Sequence, residues 1–472
     1  MGNSSGLEKE LLIDNCSVWE NADDKERVGI KQYCDGYKSF LNSCKTEREC
    51  TGYILSKAKD NGFISLDEVM DKHIKLSPGS KVYYNNRDKS VVLAVIGTQP
   101  LEKGMNIIAA HIDSPRMDLK PMPVYEEAGL ALFNTHYYGG IKKYQWVTIP
   151  LAIHGVIIKQ DGQKINVCIG EDEKEPALYI SDLLIHLSNE QMNKKAAEVV
   201  TGEALDVLIG SIPYPDKDAK QRVKLNIMNI LKEKYEITEE DFISSELEIV
   251  PALRARDIGL DRSMVGAYGQ DDRVSAYTSL TAILDAKDLN TTCMAVFADK
   301  EEVGSMGNTG LQSHFMENTV AELLACVGCE GDIHLRRALA ASKLLSADVS
   351  AAYDPLYPEA YDKTNTPYLG CGIPLTKYTG SRGKGGSNDA NAEFMGKVRS
   401  IFNKAGVVWQ TGELGKVDAG GGGTIAQFVS LYGMDVVDCG VALLSMHSPY
   451  EVSSKADVYM AHKAYSAFYC NA

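Results

Sequence analysis

Apolar residues recur with two different periods along the chain, and the change of period divides it into regions. Residues from about 7 to 75 mix polar and apolar positions at a helical period, with Gly62 as a break. Three short strand-like runs follow between residues 81 and 110. The last of them, 105–110, is continuously apolar and ends at His111. A buried strand that delivers a polar side chain to its carboxyl end is expected to have this pattern.

The middle of the chain is rich in strand-like segments, and its last part alternates helices with strands. From about 120 to 255, apolar segments are separated by turns, and one helix is predicted over 180–192. Beyond about 260 the alternation is typical of a layered α/β domain. The predictions there are a helix at 274–284, a strand at 293–298, a helix at 319–327, a strand at 343–349, a helix at 390–405 and a strand at 434–444.

The order of these regions predicts an α/β fold that is interrupted in sequence. The 472 residues exceed what one hydrophobic core usually serves. We therefore expect residues 1–118 and 259–472 to form one layered α/β domain in two pieces. Residues 119–258 are expected to form a β-rich insertion between them.

Charge excludes several classes of function. The chain has 49 Lys and Arg against 64 Asp and Glu, a formal charge of −15. Nucleic acids and anionic membranes both attract basic surfaces, so neither is an expected partner.

No apolar run approaches the roughly 20 residues of a membrane span. The first residues lack a signal-peptide pattern, and Gly6 stands where myristoylation requires Ser or Thr. A cytoplasmic protein is expected.

The cysteines and histidines lack the spacing of common zinc motifs. The eleven cysteines are odd in number and scattered, which does not suit a disulfide framework. Cys326 and Cys329 have CxxC spacing, but no second pair follows, so we expect reduced structural thiols. The nine histidines contain no HExxH pair, which argues against a thermolysin-like zinc helix.

Five short segments place His, Asp or Glu after an apolar run or a glycine turn. They are 110–115, 270–273, 298–305, 346–348 and 445–449. One such His is usually a structural polar residue, and one such carboxylate pair is usually solvated surface. Together they favour a site, because strand ends converge at one sheet edge. Imidazoles with carboxylates suit zinc, manganese or cobalt.

The ordered motifs resemble those of the aspartyl aminopeptidase and vacuolar aminopeptidase I family of metallopeptidases over nearly the whole chain. The matching motifs are HIDSP at 111–115, DDR at 271–273, DKEEVGS at 299–305, SAD at 346–348 and MHSPYE at 446–451. The resemblance implies an enzyme that removes the N-terminal residue from peptide substrates. It also implies two divalent metal ions per subunit, with Zn²⁺ expected and Mn²⁺ or Co²⁺ as alternatives.

The resemblance also implies a ligand set. One ion would be held by His111 and Asp348. The other would be held by Glu302 and His447, and Asp271 would bridge the two.

The resemblance also implies roles for two residues outside the ligand set. Glu301 would be the general base that activates a metal-bound water, and Asp113 would orient the ring of His111. In the Asp271-Asp272 doublet, either carboxylate could be the bridge.

The resemblance assigns assembly roles as well. The family uses its β-rich insertion for dimerisation and assembles as a tetrahedral dodecamer, so a homo-oligomer built from dimers is expected. His186 matches a residue that enters a neighbouring subunit's active site, although a helix-surface histidine is the alternative. The glycine-rich run 418–424 lacks the Lys-Ser/Thr of a phosphate-binding loop. Gly422 and Gly423 are expected at the substrate cleft, with a surface turn as the alternative.

The sequence also bears on which N-terminal residue the enzyme would prefer in its substrates. Lys377 corresponds to a lysine of the specificity pocket, where it would attract an acidic side chain, unless it is simply solvated. The stretches 380–388 and 138–146 resemble the vacuolar branch, which favours neutral residues. A neutral or broad preference is therefore expected.

Two other functions fit the same residues. One is a related zinc carboxypeptidase or deacylase with the same carboxylate scaffold. The other is a non-enzymatic metal-binding assembly protein.

Overall fold

The computed structural model describes residues 6–13, 17–380 and 382–472. The expectation that the first residues carry no signal peptide concerns residues 1–5 in part, and these lie outside the described ranges. Within those ranges no helix has the length and apolar character that a membrane span needs. The α-helices are α1 Gly6–Leu11, α2 Val18–Asn21, α3 Asp24–Ser43, α4 Glu47–Asp60, α5 Leu66–Asp71, α6 Asn189–Met192, α7 Ala196–Val199, α8 Arg222–Tyr235, α9 Gln270–Asp285, α10 Phe315–Cys326, α11 Asp332–Ala341, α12 Ala392–Lys404, α13 Ala426–Val429 and α14 Lys455–Asn471.

The strands of the described chain form three sheets, so the predicted α/β fold is confirmed. The strands are β1 Ile64–Ser65, β2 Lys81–Asn86, β3 Ser90–Val95, β4 Met105–His111, β5 Arg116–Glu127, β6 Leu130–Tyr138, β7 Pro150–Ile158, β8 Lys164–Ile169, β9 Leu178–Tyr179, β10 Val207–Gly210, β11 Ser245–Pro251, β12 Arg256–Ile258, β13 Met264–Ala267, β14 Thr292–Ala298, β15 Lys343–Ser346, β16 Ser350–Ala351, β17 Ile373–Thr376, β18 Trp409–Gly412, β19 Asp435–Asp438, β20 Ala442–Leu444 and β21 Glu451–Ser454.

The largest sheet has the strand order β1-β2-β3-β14-β4-β15-β19-β17-β18. Its centre is parallel, because β4 pairs in parallel with both β14 and β15. Alternate residues of β4 enter different cores. Ile108 and Ala110 pack with residues of α3, α4, α9, α12 and α14. Ile107 and Ala109 pack with residues of α5, α10, α11 and α13. Helices on both faces explain why these central strands are continuously apolar.

The second sheet takes its strands from residues 116–251, in the order β11-β5-β6-β10-β9-β7-β8. Strand β11 also pairs with β7, which brings distant parts of this sheet together around a separate hydrophobic core. A third sheet, β12-β13-β21-β20-β16, lies outside that stretch of sequence. The domain boundaries at 118/119 and 258/259 stay a prediction.

The helix predicted over 180–192 is wrong for most of its length. The chain forms a 3₁₀ helix at Ile185–Leu187 and the short helix α6. Leu184 and Ile185 are exposed, so no apolar face is buried against this subunit. A helix of this length in water depends on such packing for its stability.

The single strand predicted over 434–444 corresponds to two strands, β19 and β20, which belong to different sheets. The chain leaves the large sheet after β19 and enters the third sheet as β20. Gly440 lies between them, and a Cβ there would be 1.9 Å from the carbonyl oxygen of Asp348. A side chain would therefore clash with the backbone at the crossing. The strand predicted over 343–349 is shorter than expected, because β15 ends at Ser346.

His154 on β7 connects the second sheet to helix α4. Its Nδ1 lies 2.7 Å from Glu49 Oε1 and its Nε2 lies 3.0 Å from Glu171 Oε1. Burial alone would lower the pKa of His154, but hydrogen bonding to Cys168, Glu171 and Glu49 raises it to about 11. The ring is therefore an imidazolium at neutral pH.

We expect His154→Gln to lower the free energy of unfolding by about 1–3 kcal/mol, because two carboxylates lose a charged hydrogen-bond donor. The folded-state pKa lies above the unfolded value of about 6.5. The contribution is therefore complete below that value and is lost as the pH rises through about 11. Urea unfolding at about pH 6 and about pH 10 should show the larger difference at the lower pH. His136→Gln, on an exposed part of β6, is the control. An equal difference at both pH values would contradict the account.

Candidate active site

Three neighbouring parallel strands deliver polar residues to one edge of the large sheet. His111 is the last residue of β4. The 3₁₀ helix Glu301–Val303 begins shortly after β14, and Asp348 follows β15. The carboxyl ends of parallel strands face the same side, so these residues meet there although they are far apart in sequence.

The third sheet supplies the other half of the site. Asp271 lies at the start of α9, shortly after β13. His447 follows β20 and has a positive φ of 63°. Strands β13 and β20 both flank β21, which brings the two residues to the same place.

Asp271 lies between the two histidines. Its Oδ1 is 3.0 Å from His111 Nε2, and its Oδ2 is 3.2 Å from His447 Nε2. Asp348 Oδ1 lies 3.8 Å from His111 Nε2, and Glu302 Oε2 lies 3.6 Å from His447 Nε2. The Nε2 atom of each histidine therefore has two nearby carboxylates, one of which is shared.

This arrangement fits two divalent cations. In the described chain, the donor atoms of His111, Asp271 and Asp348 lie within 4.8 Å of one another, and so do those of Asp271, Glu302 and His447. Glu302 Oε1 is buried and has no hydrogen-bond partner among the described residues. An unpaired buried carboxylate oxygen is costly unless a cation or a donor satisfies it. Nitrogen and oxygen donors of this kind suit zinc, manganese or cobalt.

Asp272 has a different environment from Asp271. It is fully buried, and its Oδ2 accepts a hydrogen bond from the main-chain N–H of His111 at 3.3 Å. It belongs to neither donor group in the described structure. Asp271 is therefore the member of the doublet that contacts both imidazoles.

Asp113 holds several site residues in place. Its carboxylate accepts hydrogen bonds from the Tyr138 hydroxyl at 2.8 Å and from the main-chain N–H groups of Glu301 and Glu302 at 3.1 and 3.2 Å. Its backbone carbonyl lies 3.1 Å from His111 Nδ1. These contacts fix the ring of His111 relative to the two glutamates.

Sequence reasoning assigned no role to Glu451, which is buried beneath the site. Its Oε1 accepts the main-chain N–H of His447 at 2.8 Å, and its Oε2 accepts those of Gln270 and Asp271 at 2.6 and 3.2 Å. Its position four residues after His447 in the MHSPYE motif was the available signal. Gly140, whose carbonyl lies 2.8 Å from His447 Nδ1, gave no such signal.

The site concentrates negative charge in a buried place. Burial and then Asp348 raise the pKa of Glu301 to about 8. Burial and then Asp271 raise the pKa of Glu302 well above its ordinary value. Burial alone would lower the pKa of His447, but its hydrogen bond to Asp271 raises it to about 11. A bound divalent cation would offset this concentration of negative charge.

A cavity of about 920 Å³ opens above these residues. Glu301, Asp348 and His447 line it on one side, and the glycine loop Gly421–Thr424 lines another. Gly422 and Gly423 are thus at the wall of this cavity. Bare backbone at this wall allows close approach of an extended chain.

The structure does not bring the other two predicted residues to this cavity. The Lys377 ammonium group binds the carboxylate of Asp389 and, at 2.9 Å, the carbonyl oxygen of Ala390. His186 is exposed on its 3₁₀ helix. Neither is among the described residues that line the cavity.

Known proteins resemble the chain over nearly its whole length. Residues 40–469 match the family described as Aminopeptidase I zinc metalloprotease (M18). The probable M18 family aminopeptidase 1 of Clostridium acetobutylicum is 54% identical over 465 residues, which cover 98% of this chain and 100% of that protein. An M18 family aminopeptidase structure from Thermotoga maritima is similar with a TM-score of 0.93 at 43% identity, covering 98% and 100% of the two chains. A structure of the S. cerevisiae mApe1 dodecamer has the same fold, with a TM-score of 0.74 at 19% identity over 92% and 95% of the chains.

Proposed function

The chain belongs to the M18 family of zinc metallo-aminopeptidases, and we propose that the cavity beside Asp271 is its active site, where single N-terminal residues are removed from peptides. The observation that supports this most is the contact of Asp271 with both His111 and His447. A carboxylate between two imidazoles, each with a further carboxylate, is the donor set of a two-metal hydrolase.

In this proposal the chain holds two divalent ions, and zinc is the first choice because of the family. His111 and Asp348 would hold one ion and Glu302 and His447 the other, and Asp271 would serve both groups. When bound, such ions polarise the peptide carbonyl and make a water molecule more acidic.

Glu301 acts as general base and then as general acid. It lines the cavity and belongs to neither donor group among the described residues, so its carboxylate is available for proton transfer. It takes the proton of the attacking water and passes it to the nitrogen of the leaving peptide. Asp113 supports this role, because it binds the backbone amide of Glu301 and the ring of His111.

A neutral or broad N-terminal preference follows from the charges around the cavity. Lys377 is paired with Asp389 and is not among the described residues that line the cavity, so it is not placed to attract an acidic side chain there. Two further carboxylates, Asp354 and Asp438, line the cavity together with apolar residues such as Leu443. Lys142 also lines the cavity, but the carboxylates there outnumber it, so these residues offer no net positive charge to an Asp or Glu side chain.

Aminoacyl nitroanilides with Asp, Glu, Leu and Met test this preference. We expect kcat/KM to be higher for Leu and Met than for Asp and Glu. Lys377→Ala should leave that order unchanged, because the Lys377 ammonium group already has a carboxylate partner. Preference for the acidic substrates, lost in Lys377→Ala, would contradict the proposed specificity.

We also propose that the protein works as a cytoplasmic homo-oligomer in which residues 119–258 form the assembly insertion and residues 1–118 and 259–472 the catalytic domain. Apolar side chains near His186 are exposed in the single chain, including Leu184, Ile185 and Leu187. Exposed apolar groups of this kind mark contact surfaces. The proposed assembly is a tetrahedral dodecamer that is built from dimers. In it, His186 reaches the active site of a neighbouring copy.

A further inference from the structure

A group of metal-binding side chains lies on the surface, apart from the active-site cavity. Glu102 belongs to the 3₁₀ helix Leu101–Lys103, Cys329 to the turn after α10, and His334 to α11. One donor atom from each lies within 4.8 Å of the other two. His334 Nδ1 is 2.5 Å from Glu102 Oε1. All three side chains are partly exposed, so a cation can reach them from solvent.

We propose that Glu102, Cys329 and His334 form a second metal site, separate from catalysis, for a divalent cation of the zinc class. A thiolate, an imidazole and a carboxylate together favour a borderline-soft ion over calcium or magnesium, which take oxygen ligands. Three protein ligands leave a fourth tetrahedral position for water.

The local backbone holds the donors near the required geometry. Cys329 donates its main-chain N–H to Leu324 at 2.8 Å, which fixes the turn to the end of α10. His334 is in the first turn of α11, and its N–H binds the carbonyl of Gly331 at 3.1 Å. Tetrahedral zinc places its N, O and S ligands about 3.3–3.6 Å apart. The three donors, which lie within 4.8 Å of one another, must therefore approach one another to bind the ion.

Without a metal the same residues form a hydrogen-bonded group. Arg337 Nη1 lies 3.6 Å from Glu102 Oε1 and offers a competing positive charge. Desolvation and then Glu102 raise the pKa of the Cys329 thiol, which keeps it protonated. Metal binding must therefore compete with Arg337 for Glu102 and release the thiol proton.

Cobalt tests the site by a signal that the catalytic centre cannot give. The active-site donor groups contain only nitrogen and oxygen atoms, so a thiolate-to-cobalt charge-transfer band reports on cysteine. We expect full-length protein, stripped of metal and titrated with Co²⁺, to show this band. Cys329→Ser and His334→Ala should lose it and keep aminopeptidase activity. Cys168→Ser, at another exposed thiol, should keep it.

Alkylation of the native, folded protein gives an independent measurement. Zn²⁺ should slow the modification of Cys329 by iodoacetamide, measured by mass spectrometry of the peptides, and should leave Cys168 unaffected. No charge-transfer band in the wild type, a band that persists in Cys329→Ser, or no protection by Zn²⁺ would overturn the proposal. None of these results depends on peptidase activity, so they test the second metal site without testing the proposed function.

Discussion

Glu301→Gln is expected to lower kcat by roughly 10²–10⁴-fold, the range typical of losing a general acid–base residue. The substitution keeps the shape of the side chain and removes its ability to accept a proton. Glu301 belongs to neither donor group of the described chain, so the metal content should not change. KM should also change little, because the binding surface of the cavity is retained. Steady-state kinetics and metal analysis of the purified variant measure both effects.

Glu330→Gln is a matched control on an exposed turn, and it should behave as the wild type. If Glu301→Gln kept most of its activity, another group would have to carry the proton. If it lost its metal instead, Glu301 would be a ligand, and its role would have to be exchanged with another carboxylate of the cavity.

Asp271→Asn is expected to abolish both activity and tight metal binding at the active site. The carboxylate contacts both histidines, so its loss weakens both donor groups together. Replacing even an outer partner of a metal ligand costs roughly 10–100-fold in affinity, and a shared ligand should cost more. Metal content after dialysis, measured by elemental analysis, checks this result.

Asp272→Asn is the matched control for the neighbouring carboxylate. Its Oδ2 accepts a hydrogen bond from the main-chain N–H of His111, and an amide oxygen can replace that acceptor. The variant should keep its metal. The opposite pattern, with metal lost in Asp272→Asn and kept in Asp271→Asn, would contradict the assignment of the shared ligand.

The sequence predicted those parts of the site that depend on strand ends. His111 and Asp348 follow apolar runs that become β4 and β15, and adjacent parallel strands bring such residues together. His447 was one of the residues that the sequence pattern singled out, but the switch from β19 to β20, which takes the chain into another sheet, was not predicted. That switch depends on the close approach of Gly440 to Asp348, a long-range contact without a local pattern.

Glu451 and Lys377 show why the remaining residues were harder to predict. Glu451 acts through backbone N–H groups at Gln270 and His447, which are distant in sequence from each other. Lys377 binds Asp389, twelve residues further along the chain, a partner that no local pattern predicts. The helix predicted over 180–192 followed local propensity, whereas the packing that would stabilise it is not present within one subunit.

The most direct test of the central claim is mass spectrometry of a peptide incubated with the enzyme, with its divalent metal removed and then restored. We predict that the metal-loaded enzyme shortens a peptide with a free N-terminus by one residue at a time. The same peptide with an acetylated N-terminus should stay intact, and the metal-free enzyme should cleave neither. Release of residues from the C-terminus, removal of the acetyl group, or cleavage that persists without metal would contradict the account.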